Sequence, residues 1–140
     1  MSLYKYLKDK NDKYNDWEKK PLSYDYKRIF LALSVIYCIA TLYDLTFTYV
    51  TFHLSPNHFF EYELSAIIKE VFRGSLVYTI LLIVLFLLPL VLTHYINMRS
   101  VKKYGYSVNS IKFLFFAIYL GGLMHVIGGL TNFFYLINLR

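Results

Sequence analysis

The sequence predicts an all-α integral membrane protein with three transmembrane helices, N-terminus inside and C-terminus outside, and a short outer amphipathic helix. Three observations predict it. Hydrophobic residues make up 57% of the 140 residues, more than a soluble domain of this size carries. Three apolar segments reach the ~20 residues that a helix needs to cross a bilayer. The charged residues lie almost entirely outside those segments, as expected where charge in hydrocarbon is costly. The length suits one domain.

Residues 1–28 form a polar arm that mixes both charge signs with Tyr4, Tyr6, Tyr14, Trp17, Tyr24 and Tyr26. It contains no apolar core of a signal peptide, so the first span is expected to be retained. Two readings stand for the arm. One is a partly disordered tail whose aromatics rest on the membrane interface. The other is a docking arm for a partner subunit.

The transmembrane domain covers 29–140, with spans at about 29–52, 76–96 and 113–137. The first span holds one formal charge, Asp44, and the other two hold none. Pro89 is expected to kink the second, which membrane helices tolerate. Between the first two spans, Ser55-Pro56-Asn57 signals a turn and a helix start. Phe60, Leu64, Ile67, Ile68 and Val71 then recur at helical spacing, which predicts an amphipathic helix over about 57–73 that Gly74 ends.

Lys and Arg set the orientation. The arm carries Lys5, Lys8, Lys10, Lys13, Lys19, Lys20, Lys27 and Arg28, and the second connection carries Arg99, Lys102, Lys103 and Lys112. The first connection has only Lys69 and Arg73, and the C-terminus only Arg140. The arm and second connection are therefore expected to face the cytoplasm, in a multi-pass protein of the plasma membrane. The net charge of +6 follows from this topology and does not call for a nucleic-acid partner. Cys38 stands alone inside a span, so no internal disulfide is possible.

Apolar content does not explain two polar stripes. Ser34, Tyr37, Thr41, Asp44, Thr48 and Thr51 recur in steps of three and four along one face of the first span. Gly121, His125, Gly128 and Asn132 do the same in the third, flanked by Gly122 and Gly129. The second span reads as apolar almost all round and facing lipid. Glycines let a neighbouring helix approach closely, and polar side chains in a membrane turn toward the bundle interior. The two stripes are expected to pack together, with Gly121, Gly122, Gly128 and Gly129 as the packing surface. Asp44 lies 15 residues past Ile29 and His125 lies 14 past Ile111, so at ~1.5 Å per residue they reach one depth.

Two roles fit such a pair. It is either a contact that fixes which helices pack, or a proton, metal or polar-ligand site with Thr41, Thr48 and Asn132 around it. His53, His58, Glu61 and Glu63 crowd the outer connection. Asp44, His125, Glu61 and His58 together offer a mixed N/O ligand set of the kind zinc, manganese or iron accepts, without a tight spacing motif. His94, beside Tyr95 and Arg99, is placed at the inner interface. No nucleophile elbow, phosphate-binding glycine loop or haem-attachment motif is present, and no cofactor is indicated.

Asp44-Leu45-Thr46 and, beyond the outer turn, Phe60-Glu61-Tyr62-Glu63-Leu64 resemble a family of small uncharacterised prokaryotic membrane proteins with the pattern Asp-x-x-Thr…Glu-x-Asn-Pro. Asp44 takes the place of the Asp and Glu61 that of the Glu. The Thr stands one position early, at Thr46, with Thr48 nearby, and Glu63 and Leu64 stand where Asn-Pro would be. The likeness spans about residues 40–70. It implies no established activity, only that Asp44 and Glu61 act together.

The expected function is that of a small non-catalytic accessory subunit in a larger membrane complex, of the respiratory or membrane monooxygenase type. Its polar seam would stabilise or complete the assembly. The alternative is a homo-oligomeric transporter, proton relay or metal-dependent membrane enzyme that uses Asp44, His125 and Glu61. The Lys-, Asn- and Tyr-rich composition points to an AT-rich genome, such as an archaeal one.

Overall fold

A computed structural model describes residues 3–63 and 65–138. Leu64 of the expected outer helix, Arg140 of the charge count and the side chain of Tyr4 lie outside the described residues. The chain is helical, without a strand among the described residues: α1 (Leu3–Lys19), α2 (Tyr26–Leu54), α3 (Pro56–Tyr62), α4 (Ala66–Phe72), α5 (Leu76–Tyr104) and α6 (Ile111–Asn138). Three of these, α2, α5 and α6, are long and apolar enough to cross a membrane, which marks a multi-pass membrane protein. At ~1.5 Å per residue each exceeds the ~30 Å of hydrocarbon. The helices therefore run past the limits that hydropathy suggests. Lys27 and Arg28 on α2, and Arg99, Lys102 and Lys103 on α5, continue helices whose apolar parts lie further in, because Lys and Arg are good helix formers.

The helix ends follow from local chemistry. Asp25 caps α2 by accepting from the backbone N–H groups of Lys27 (2.9 Å) and Arg28 (3.4 Å). Pro56 at the first turn of α3 stops the preceding helix. Gly105, at φ 80°, ends α5 in the left-handed conformation while its N–H still reaches the Val101 carbonyl.

The outer connection is two short helices rather than the single one expected over 57–73. Glu63 turns extended and its Oε1 accepts from the Ser65 N–H at 2.8 Å. Ser65 then caps α4 by accepting from the Ile68 N–H at 3.3 Å. These side chains offer the backbone a turn in place of another helical residue. Phe52, Phe59, Phe60 and Phe72 pack their rings together and hold both short helices against the end of α2.

The N-terminal arm also departs from the disordered tail, because α1 is a 17-residue helix. Its Lys19 end is tied down and the rest is mostly exposed. The Trp17 ring meets Phe113 edge-on at 5.6 Å. Pro21 bridges Val108, the Leu22 N–H donates to Ser107, and the Asn109 N–H donates to Lys20. This clasp joins the α1–α2 link to the α5–α6 link at what is here called the basic end. Beneath it Tyr26, Val108, Ile111 and Phe115 form a buried cluster.

Above the cluster α2 and α6 run parallel. Tyr37 packs on Gly121 and Gly122, Asp44 on Gly128 and Gly129, Thr48 on Asn132 and Ser55 on Tyr135. Helix α5 returns between them in sequence with few residues buried. Up to Ile96, α5 is almost wholly apolar and little buried, as expected, and beyond it Asn97 and Ser100 join Thr93 on one buried face. The apolar run ends at Ile96, in the middle of that face, and so masks it.

The glycines of α6 are not equivalent. A Cβ at Gly129 would collide with the Tyr43 ring and stand 3.2 Å from the Asp44 Cα, whereas one at Gly122 would meet the Tyr37 Cα at an ordinary 3.8 Å. Gly129→Ala should therefore loosen the α2–α6 pairing by about 1–3 kcal/mol, and Gly122→Ala, whose added methyl meets only ordinary contacts, should not loosen it. Unfolding titrations in detergent check this, and equal effects of the two variants would contradict the assigned register.

Candidate functional site

Close approach of α2 and α6 places a carboxylate against an imidazole. The His125 ring Nδ1 lies at hydrogen-bonding distance, 2.8 Å, from Asp44 Oδ2. Gly128 makes this possible, since a Cβ there would stand 2.8 Å from Asp44 Oδ1. The pair sits far from either end of both helices. Its side chains retain 19% (Asp44) and 31% (His125) of their exposure, so the chain does not close over them.

Tyr37 ties this pair to the third helix. Its ring stacks on Phe86 of α5 with centroids 5.1 Å apart and meets the His125 ring edge-on at 5.8 Å. Its hydroxyl donates to the Phe86 carbonyl at 3.3 Å. Pro89 has no N–H, so the Leu85 carbonyl four residues back lacks its helical donor. The Tyr37 hydroxyl bonds the next carbonyl along, that of Phe86. Tyr37 thus touches all three long helices, a role its place in the stripe did not reveal.

Further along, the Asn132 amide donates to Thr48 Oγ1 at 3.1 Å, and Ser55 Oγ lies 2.9 Å from the Tyr135 hydroxyl. The other stripe hydroxyls do not cross. Ser34, Thr41 and Thr51 donate to the carbonyls of Phe30, Tyr37 and Phe47, four residues back in their own helix. The stripe is therefore a zipper of single rungs more than a polar chamber. Two small cavities flank the central rung. One of about 260 Å³, between α2 and α5, is lined by Tyr37, Thr41 and His125 among apolar residues. Another of about 300 Å³, beside α3, is lined by Thr51, His58, Glu63, Gly128, Asn132 and Tyr135 among others.

The outer candidates do not join the pair. His58 stacks face to face on Tyr135 at 3.5 Å, His53 rests against Tyr49, and Glu61 is exposed on α3. Among the described residues no three His, Cys, Asp or Glu side chains come together as a metal group. The set Asp44, His125, Glu61 and His58 therefore falls apart, because α3 lies beyond the end of α2 while Asp44 and His125 lie deep in the spans. Glu61 stands on α3, past the end of α2 that carries Asp44.

A carboxylate hydrogen-bonded to an imidazole can share and relay a proton and can hold two helices in register. Asp44→Ala and His125→Ala should each destabilise the chain. The double variant should cost less than their sum, with a coupling of ~0.6–2 kcal/mol. Strictly additive costs in a double-mutant cycle would show that the two side chains do not interact. Compared with protein-family models, with curated proteins and with solved structures, the chain finds no match.

Proposed function

We propose that the chain is a small accessory subunit of a larger integral membrane assembly, of the respiratory or membrane monooxygenase kind, oriented with its basic end in the cytoplasm of a plasma membrane. One observation carries the reading. Asp44 and His125 lie deep in two membrane-length helices yet keep 19% and 31% exposure. Ionisable groups at that depth are costly against lipid and are covered by protein or by a water-filled cavity. This chain's own third helix does not cover them, whereas a neighbouring polypeptide would.

The exposed apolar surface of α5, from Leu76 and Val77 to Val91 and Met98, is compatible with the same arrangement. The subunit's part is to present a polar rung to its neighbour and to fix the packing there. A homo-oligomer with a transport or proton-relay role is the second reading, favoured by the two cavities beside the pair. In that case a second copy closes the seam.

Native mass spectrometry of particles extracted from membranes in mild detergent separates the readings. The 16.7 kDa chain should emerge with larger, different membrane proteins. Emergence only with copies of itself would overturn the accessory-subunit reading in favour of the oligomer. A solitary chain would overturn both.

A further inference from the structure

At the basic end, away from the Asp44–His125 pair, α5 and α2 enclose an open groove of about 850 Å³. Val91, Tyr95, Met98 and Lys102 follow one another on α5 in steps of four, three and four, so they share one helix face. The face changes character along the helix. Leu90 and Val91 are aliphatic, His94 and Tyr95 carry polar tips on apolar rings, and Arg99 and Lys102 are cations. Phe30 of α2 forms the facing wall and stacks on His94 with centroids 5.9 Å apart.

The cations are the informative part. Arg28 has Asp25 at 3.4 Å, Lys103 lies over the Tyr104 ring and Lys112 over the Tyr24 ring. Arg99 and Lys102 have no carboxylate within ion-pair distance among the described residues. Two unpaired cations thus stand at the charged end of a groove whose other end is hydrocarbon-like. The span from Val91 to Lys102 covers ~16 Å of helix at ~1.5 Å per residue, about the drop from a phosphate through the ester region into acyl chains.

We propose that this groove is a binding site for one anionic glycerophospholipid. The phosphate lies between the Arg99 guanidinium and the Lys102 ammonium. The Tyr95 hydroxyl and the His94 ring border the glycerol and ester region, and an acyl chain runs over Val91 and Leu90 against Phe30. Charge complementarity selects an anionic headgroup over a zwitterionic one, because basic residues at a membrane surface attract anionic lipid. The matching apolar length selects a lipid over free phosphate.

The chain is reconstituted in nanodiscs of equal phosphatidylglycerol and phosphatidylcholine, and retained lipid is read by native mass spectrometry. The wild type should keep one phosphatidylglycerol with roughly tenfold preference. Arg99→Gln/Lys102→Gln should abolish the preference. Met98→Trp, which fills the groove without touching charge, should abolish retention. Lys27→Gln/Arg28→Gln, which removes cations outside the groove, should leave both unchanged, with equal helicity by circular dichroism in all samples. Lipids retained in proportion to their abundance, or an unaltered preference in Arg99→Gln/Lys102→Gln, would overturn the assignment. So would displacement of the lipid by excess inorganic phosphate, which would show that the headgroup alone is recognised.

Discussion

The structure depends on the absence of water around α2 and α6. In hydrocarbon a carboxylate, an imidazole and a carboxamide have only each other and the backbone to bond. The α2–α6 seam resolves this with cross-helix contacts at Asp44–His125, Thr48–Asn132 and Ser55–Tyr135. Each requires the helices to approach closely, and Gly128 and Gly129 permit that at the central rung. Small residues and polar rungs are thus one device, in which backbones come near enough for short side chains to reach across.

Other parts of the molecule support this seam. Tyr37 is buried because it fills the space between the seam and α5, and its hydroxyl bonds the Phe86 carbonyl of α5. The clasp between residues 18–22 and 106–110 holds the basic ends of α2 and α6 together, and the phenylalanine cluster below α3 and α4 closes the opposite end of α2. The pair in the middle is held by contacts at both ends.

The helices that cross the membrane were legible because period and composition alone specify them. The facing of the two stripes was legible because polar groups in hydrocarbon have few places to go. What stayed hidden has physical reasons. The break at Glu63 and Ser65 depends on two side chains capturing backbone N–H groups in the middle of an amphipathic pattern, which periodicity cannot register. Spacing does not tell a hydroxyl that bonds its own helix, as at Thr41 and Thr51, from one that meets the neighbouring helix, as at Thr48. The Thr93–Asn97–Ser100 face has a regular spacing, but Asn97 and Ser100 lie where hydropathy has already fallen. Glu61 and His58 are near Asp44 in the order of elements and far from it in depth.

The parallel run of α2 and α6 sets the order of events during synthesis. Asp44 precedes His125 by 81 residues, and α5 must be made and threaded back between them. At ~5–20 residues per second the carboxyl waits ~4–16 s for its imidazole. During that interval α5 can already bring Phe86 against Tyr37, while Asp44 receives its cross-helix partner when α6 arrives.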